Sequence, residues 1–312
     1  MNRSVLVYIT LLFLLVCSCR SEPAQEIRQS QPPAFLADTE SWVVTSSITK
    51  RRYQISVALP DGYREQNQVY PVLYAVDANA EFGIVVETAR TMRLEKLIPN
   101  LVVVGIGYPN FAQGWRASMA SRSVDLTPTE DRAWEKENAK ESQKEGMPGA
   151  EGSGGAAGFF RFIREELIPS IEQKYRVSHD DRAFFGHSFG GLFGLHALFG
   201  NEGTFRRFIL GSPSLWWDKR VTFAHEEAYA AKQKALPVRV FLSVGLLEPN
   251  GEKYRMVENL RKFAEVLKSR GYDGLDLKVH FFEDETHTSV VPATVSKGLR
   301  FIYSPKKAAA DQ

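Results

Sequence analysis

The stretch from Arg182 to Gly200 constrains this chain more than any other. It reads Arg-Ala-Phe-Phe-Gly-His-Ser-Phe-Gly-Gly-Leu-Phe-Gly-Leu-His-Ala-Leu-Phe-Gly. Its centre, Gly186-His187-Ser188-Phe189-Gly190, fits G-x-S-x-G, the pattern of a nucleophile elbow. The apolar run Ala183-Phe184-Phe185 before it reads as the end of a buried strand. Leu192, Leu195 and Leu198 after it recur at helical spacing. Strand, sharp turn and helix in that order force the serine into a strained backbone, with glycines beside it where a Cβ would clash. The helix start also presents the amide of Phe189 as a donor for a developing oxyanion.

The rest of the chain supplies the frame for this turn. At 312 residues, 44% hydrophobic and with a formal net charge of +2, it is ample for one large α/β domain. The near-neutral balance gives no electrostatic reason to expect a nucleic-acid partner. Residues 1–19 read as a lipoprotein-type signal peptide. A basic start, Asn2-Arg3, precedes the apolar run Val5 to Val16, shorter than the roughly 20 residues of a spanning helix. Val16-Cys17-Ser18-Cys19 follows, with Cys19 as the residue to be lipidated; an ordinary secretory signal with incidental cysteines is the alternative. The expectation is an exported protein, lipid-anchored to a bacterial membrane on its periplasmic or cell-surface face. Both cysteines of the chain lie in this segment, so the mature domain has no disulfide and no thiol nucleophile. Residues 20–38, with their Pro-Pro pair, read as a flexible tether, 39–305 as the folded domain and 306–312 as a tail.

Within the domain, Tyr53 to Leu59 alternates as a strand with one wet face, whereas Tyr70 to Val76 and Leu101 to Gly107 are apolar enough to be buried on both faces. A helix is expected from about Phe82 to Leu97, and an amphipathic one from Phe159 to Tyr175. Further strands at Arg207 to Leu210, Val238 to Val244 and Leu275 to Phe282 alternate with helices at Tyr254 to Ser269 and Val295 to Tyr303. This alternation predicts a mostly parallel central sheet with helices on both faces, and with the G-x-S-x-G turn the expectation is the α/β-hydrolase fold. Residues 113–157 break the pattern and read as a lid-like insertion, with Glu130 to Gly149 a solvated helix or a disordered lid.

A serine hydroxyl needs a base, usually a histidine oriented by a carboxylate. In this fold the partners follow the serine in the order acid, then His, and ligands meet the carboxyl ends of the strands. His179 precedes the nucleophile strand, His187 is inside the turn, His196 is on the following helix, His225 falls in the wrong chain order and His280 is inside a strand. His287 alone sits in a loop just past a strand end, which makes it the general base. Glu248 stands just beyond the strand ending at Val244 and is the candidate acid; Glu252 is its nearest competitor, and a Ser–His dyad is the alternative. The second oxyanion donor is assigned to the amide of Asn79, in the loop Asp77-Ala78-Asn79 after a central strand.

Four segments carry a resemblance: Tyr70-Pro71-Val72-Leu73-Tyr74 with Asp77-Ala78-Asn79-Ala80, Arg122 with Asp125-Leu126-Thr127-Pro128, Gly186 to Gly191, and Ser212-Pro213-Ser214-Leu215-Trp216-Trp217. In that order they resemble the esterase family that groups the enterobactin, salmochelin and bacillibactin esterases with esterase D and the mycolyltransferases. The likeness covers nearly all of the chain after the tether. It implies a serine carboxylic-ester hydrolase that works through an acyl-enzyme on siderophore-type trilactones or small acyl esters. No metal or organic cofactor is implied, and the expected partners are a small-molecule ester and, through the anchor, a membrane. Carried over by position, Ser188 is the nucleophile, His287 the base and Asn79 an oxyanion donor, although Ala78 stands where the family usually has Gly. Arg122 is a candidate for a substrate oxygen or, alternatively, a partner of Asp125. Trp216 and Trp217 are candidates for an aromatic pocket wall, or for packing beneath it. A mycolyltransferase-like acyltransferase and a non-catalytic ligand-binding lipoprotein of the same fold are the alternatives in function.

Overall fold

The computed structural model describes residues 36–109, 115–249 and 251–305. The expected signal peptide with Cys19, nearly all of the tether and the tail lie outside the described residues.

Eight strands form one sheet in the order β1-β2-β4-β3-β5-β6-β7-β8. They are β1 (Thr39–Thr45), β2 (Arg52–Ala58), β3 (Tyr70–Ala75), β4 (Val102–Gly107), β5 (Val177–His187), β6 (Arg207–Gly211), β7 (Arg239–Gly245) and β8 (Asp276–Phe282). The β1–β2 and β2–β4 pairings are antiparallel; from β4 to β8 every pairing is parallel. The period-two rule explains how one sheet serves two cores. Tyr74, Phe184, Leu210 and Leu242 point into one apolar layer, while Leu73, Phe185, Ile209 and Phe241, their chain neighbours, point into the other. The second layer is closed by α1 (Ala78–Leu94) and α9 (Val290–Tyr303). The first takes α4 (Ala156–Phe162), α5 (Ile168–Lys174), α6 (Phe189–Phe199) and α8 (Met256–Arg270). A π turn at Ile163–Leu167 joins α4 to α5. The fold is the α/β-hydrolase fold, and its parallel core brings the carboxyl ends of β3, β5, β6, β7 and β8 to one edge.

Several boundaries differ from the sequence reading. Strand β5 begins at Val177, so His179 lies within the nucleophile strand and not before it. Helix α1 starts at Ala78, directly after Asp77 turns the chain with φ 55°, so the loop expected at 77–80 is already helical. Helix α9 likewise starts at Val290, five residues before Val295. The irregular segment contains α2 (Trp115–Leu126) and α3 (Arg132–Glu145). Asp131 caps α3 by accepting the Trp134 N–H at 3.0 Å, a helix start hidden in a run of charge. The remaining helix, α7 (Trp217–Ala230), opens with three non-helical residues, Asp218 to Arg220, at φ 39°, 53° and 68°.

Candidate active site

Ser188 makes the turn between β5 and α6 with φ 60° and ψ −117°, a region that L-residues avoid. Packing leaves it no way to relax. A Cβ on Gly186 would lie 2.3 Å from Gly190 O, so strand and helix meet backbone to backbone. The Ser188 N–H donates to Gly211 O at 2.9 Å, and its carbonyl accepts from Leu192 N–H at 3.0 Å and Ser214 N–H at 3.2 Å.

The ends of β7 and β8 bring two further side chains to this turn. His287 Nε2 lies 3.0 Å from Ser188 Oγ, and its Nδ1 lies 2.7 Å from Glu248 Oε2. Glu248 is buried; its Oε1 accepts the Gly245 N–H at 2.8 Å and the Ser212 hydroxyl. Burying a carboxylate is tolerable only when donors replace its lost water. With the Nδ1 proton facing Glu248, the Nε2 lone pair of His287 faces the serine hydroxyl, the arrangement a general base needs. Glu252 is exposed on the loop beyond.

The other histidines take no part in this relay. The His187 ring packs on that of His287 with centroids 4.7 Å apart. It is buried, and among the described residues neither ring nitrogen has a hydrogen-bond partner; burial first, and the nearby His287 second, push its proton affinity well below the ordinary histidine value. His196 lies 6.2 Å from His225, and burial drives it down to about 4. His280 faces Phe282, and His179 pairs with Glu172 at the surface.

Two helix starts converge beside Ser188. Phe189 is the first residue of α6 and Asn79 the second of α1, so both amides belong to the donors a helix leaves without an intrahelical acceptor. The two starts abut, because a Cβ on Gly190 would lie 2.8 Å from Val76 Cγ2 and 3.2 Å from Asp77 Oδ2. The Asn79 side chain fastens this corner to the loop after β4: Nδ2 donates to Tyr108 O at 3.0 Å and Oδ1 accepts Tyr108 N–H at 2.7 Å. Ala78 causes no strain here. The left-handed residue of the loop is Asp77, and Ala78 is already the first residue of α1.

Two of the residues expected to face substrate sit elsewhere. Arg122 is buried; its Nε and Nη2 donate to the two carboxylate oxygens of Asp77, each at 2.7 Å. Its partner is therefore not Asp125, which instead accepts Tyr53 and Tyr108 hydroxyls at 3.2 and 3.0 Å and pairs with Arg51. Trp217 is fully buried and its indole N–H reaches Thr129, so it packs beneath the site. Trp216 remains at the rim, partly buried, 4.9 Å from the Tyr254 ring and 6.0 Å from that of Phe189. Sequence reasoning passed over Trp134. It is an anchoring residue on α3, with its ring 5.5 Å from Phe189 and 4.9 Å from Trp217. An aromatic among so many charges was the signal available.

Comparison with known proteins points to one family. A family model described as "Putative esterase" matches residues 46–289. The chain is 34% identical over 273 residues to ferri-bacillibactin esterase BesA of Bacillus subtilis, covering 86% of this chain and 90% of that protein. It is 32% identical over 284 residues to the siderophore enterobactin esterase of Emericella nidulans, covering 80% and 89%. The crystal structure of the BES protein from Bacillus cereus superposes with a TM-score of 0.73 at 32% identity, covering 89% of this chain and 99% of that one.

Proposed function

The chain belongs to this esterase family, and on that premise we propose that it hydrolyses the ester bonds of trilactone siderophores, with Ser188 as nucleophile, His287 as base and Glu248 as the acid that orients it. The observation that carries this reading is the continuous relay of 3.0 Å and 2.7 Å from Ser188 Oγ through His287 to Glu248. As Ser188 Oγ bonds to the ester carbonyl carbon, its proton passes to His287 Nε2. Glu248 holds the Nδ1 proton and stabilises the imidazolium. The carbonyl oxygen becomes an oxyanion between the amides of Phe189 and Asn79, where each such donor is worth about 10²–10³ in rate. Collapse expels the alkoxide, which takes the proton from His287 and leaves an acyl-enzyme. Water then repeats the sequence, its proton going to His287 and its oxygen to the acyl carbon, and Ser188 is regenerated. The names of the relatives, a ferri-bacillibactin esterase and an enterobactin esterase, support the substrate class, and the aromatic rim of Trp216, Trp134 and Tyr254 suits an aryl-bearing acyl group.

The test has two arms. Hydrolysis of p-nitrophenyl butyrate is compared between the protein and its Ser188→Ala form; equal background rates would overturn the enzyme mechanism. Ferric and metal-free trilactones are then incubated beside short acyl esters and products are read by mass spectrometry. Cleavage of the short esters alone would overturn the substrate class. We also propose export and lipid attachment at Cys19, supported by the apolar run and Val16-Cys17-Ser18-Cys19. Incorporation of labelled palmitate that disappears in Cys19→Ala is the expected result, and no incorporation would overturn it.

A further inference from the structure

Glu248 is not oriented by its own loop alone. One of its oxygens accepts a hydroxyl from Ser212, a fully buried residue held at φ 41° at the end of β6. Its neighbours in the bend at 211–214 grip the nucleophile at the same time. Gly211 O accepts the Ser188 N–H at 2.9 Å, Ser214 N–H donates to Ser188 O at 3.2 Å, and Ser212 N–H donates to Ser243 O at 2.7 Å. The bend has no slack against α6, since a Cβ on Gly191 would lie 2.8 Å from Gly211 O and 3.0 Å from Pro213 Cα.

We infer that Ser212 is a positioning residue for ester hydrolysis. Its hydroxyl fixes Glu248 Oε1 so that Oε2 meets His287 Nδ1, while the bend that carries it fixes the backbone of Ser188. The span that His287 must bridge is thereby set by one short segment of β6. Without the Ser212 hydroxyl, Oε1 keeps, among the described residues, the Gly245 N–H alone, and the carboxylate can swing away from His287. This rests on the Ser188–His287–Glu248 reading of the site.

The test is a double-mutant cycle on p-nitrophenyl butyrate with Ser212→Ala, Glu248→Gln and the pair, beside Ser188→Ala. Loss of a hydrogen bond to a charged group predicts that Ser212→Ala lowers kcat roughly 10- to 100-fold, with KM almost unchanged. In the Glu248→Gln background the same substitution should cost less than about two-fold, because a residue acting through another loses its effect once that residue is gone. The NMR resonance of the His287 Nδ1 proton should shift or broaden in Ser212→Ala. Equal losses in both backgrounds, or wild-type kcat in Ser212→Ala, would overturn the inference. If Ser212→Ala does not fold, Ser212→Cys keeps the shape with a weaker donor. An intermediate kcat is then expected, and a wild-type value overturns the inference. Full activity in Ser188→Ala would instead sink the catalytic reading beneath it.

Discussion

On one flank of Ser188 the charges belong to His287 and Glu248; on the other they belong to Arg122 and Asp77. Both pairs are closed by contacts of 2.7 Å, yet they differ in access and in what their charges can do. The His287 side chain is 33% exposed and Glu248 beneath it is sealed, whereas Arg122 and Asp77 are 5% and 0% exposed. In the first pair a ring nitrogen lies 3.0 Å from the Ser188 hydroxyl, within reach of its proton, so this pair can serve a cycle. Burial opposes the Arg122 charge, but Asp77 outweighs it and holds the guanidinium more firmly protonated. That pair acts as a brace between α2 and the turn after β3. On the proposed mechanism, similar distances thus serve proton traffic on one side and rigidity on the other.

The comparison can be broken by mutation, and the two flanks should fail differently. The largest effect belongs to the working side: Ser188→Ala should lower kcat by about 10⁶ while the thermal melt stays near that of the wild type. Glu248→Gln should lower kcat by roughly 10³–10⁴, again with little change in melting; near-wild-type turnover would show that a Ser–His dyad suffices. On the braced side Arg122→Ala should fail in stability first. It leaves Asp77 buried without its partner, a loss of about 3–5 kcal/mol, read as a melting temperature lower by about 10 °C. An unchanged melt would remove the brace from the account.

The smallest effect sharpens the same side. Asp125 sits on α2 three residues from Arg122, and burial pushes its carboxyl up to about 6, against the opposing pull of Arg51 and the two tyrosine hydroxyls. The native protein therefore holds this proton more tightly than the unfolded chain does. The resulting stabilisation is fully present below about pH 4, the ordinary carboxylate range, and is lost as the pH rises through 6. Melts of the protein and of Asp125→Asn from pH 4 to 7 should diverge in that sense, by about 2 kcal/mol across the range. Parallel curves would contradict it.

Much of this was legible in the sequence because period, turn chemistry and chain order are local. The elbow, the parallel sheet and the position of His287 and Glu248 at strand ends follow from patterns within a few residues. What was not legible depends on distance in the chain. Arg122 has an acid three residues away, Asp125, but its partner Asp77 lies 45 residues back, and only the packing of α2 on the β3 turn makes the choice. Trp134 sits in a polar helix whose charges suggest solvent, and its role appears only when α3 lies against Phe189. The left-handed residue before α1 is Asp77, which no local pattern marks, and Ala78 after it is already helical.

The aromatic chain beside the nucleophile has an optical consequence. Of the five tryptophans in the sequence, Trp134, Trp216 and Trp217 lie in ring contact with Phe189, the residue after Ser188. Trp134 and Trp216 also each stand within 6 Å of Trp217. Excitation absorbed by any of the three can pass to its neighbours, so much of the intrinsic emission reports on one corner of the molecule. A ligand settling against that corner would quench or shift the emission as it arrives and restore it as product leaves, giving a label-free clock for each turnover.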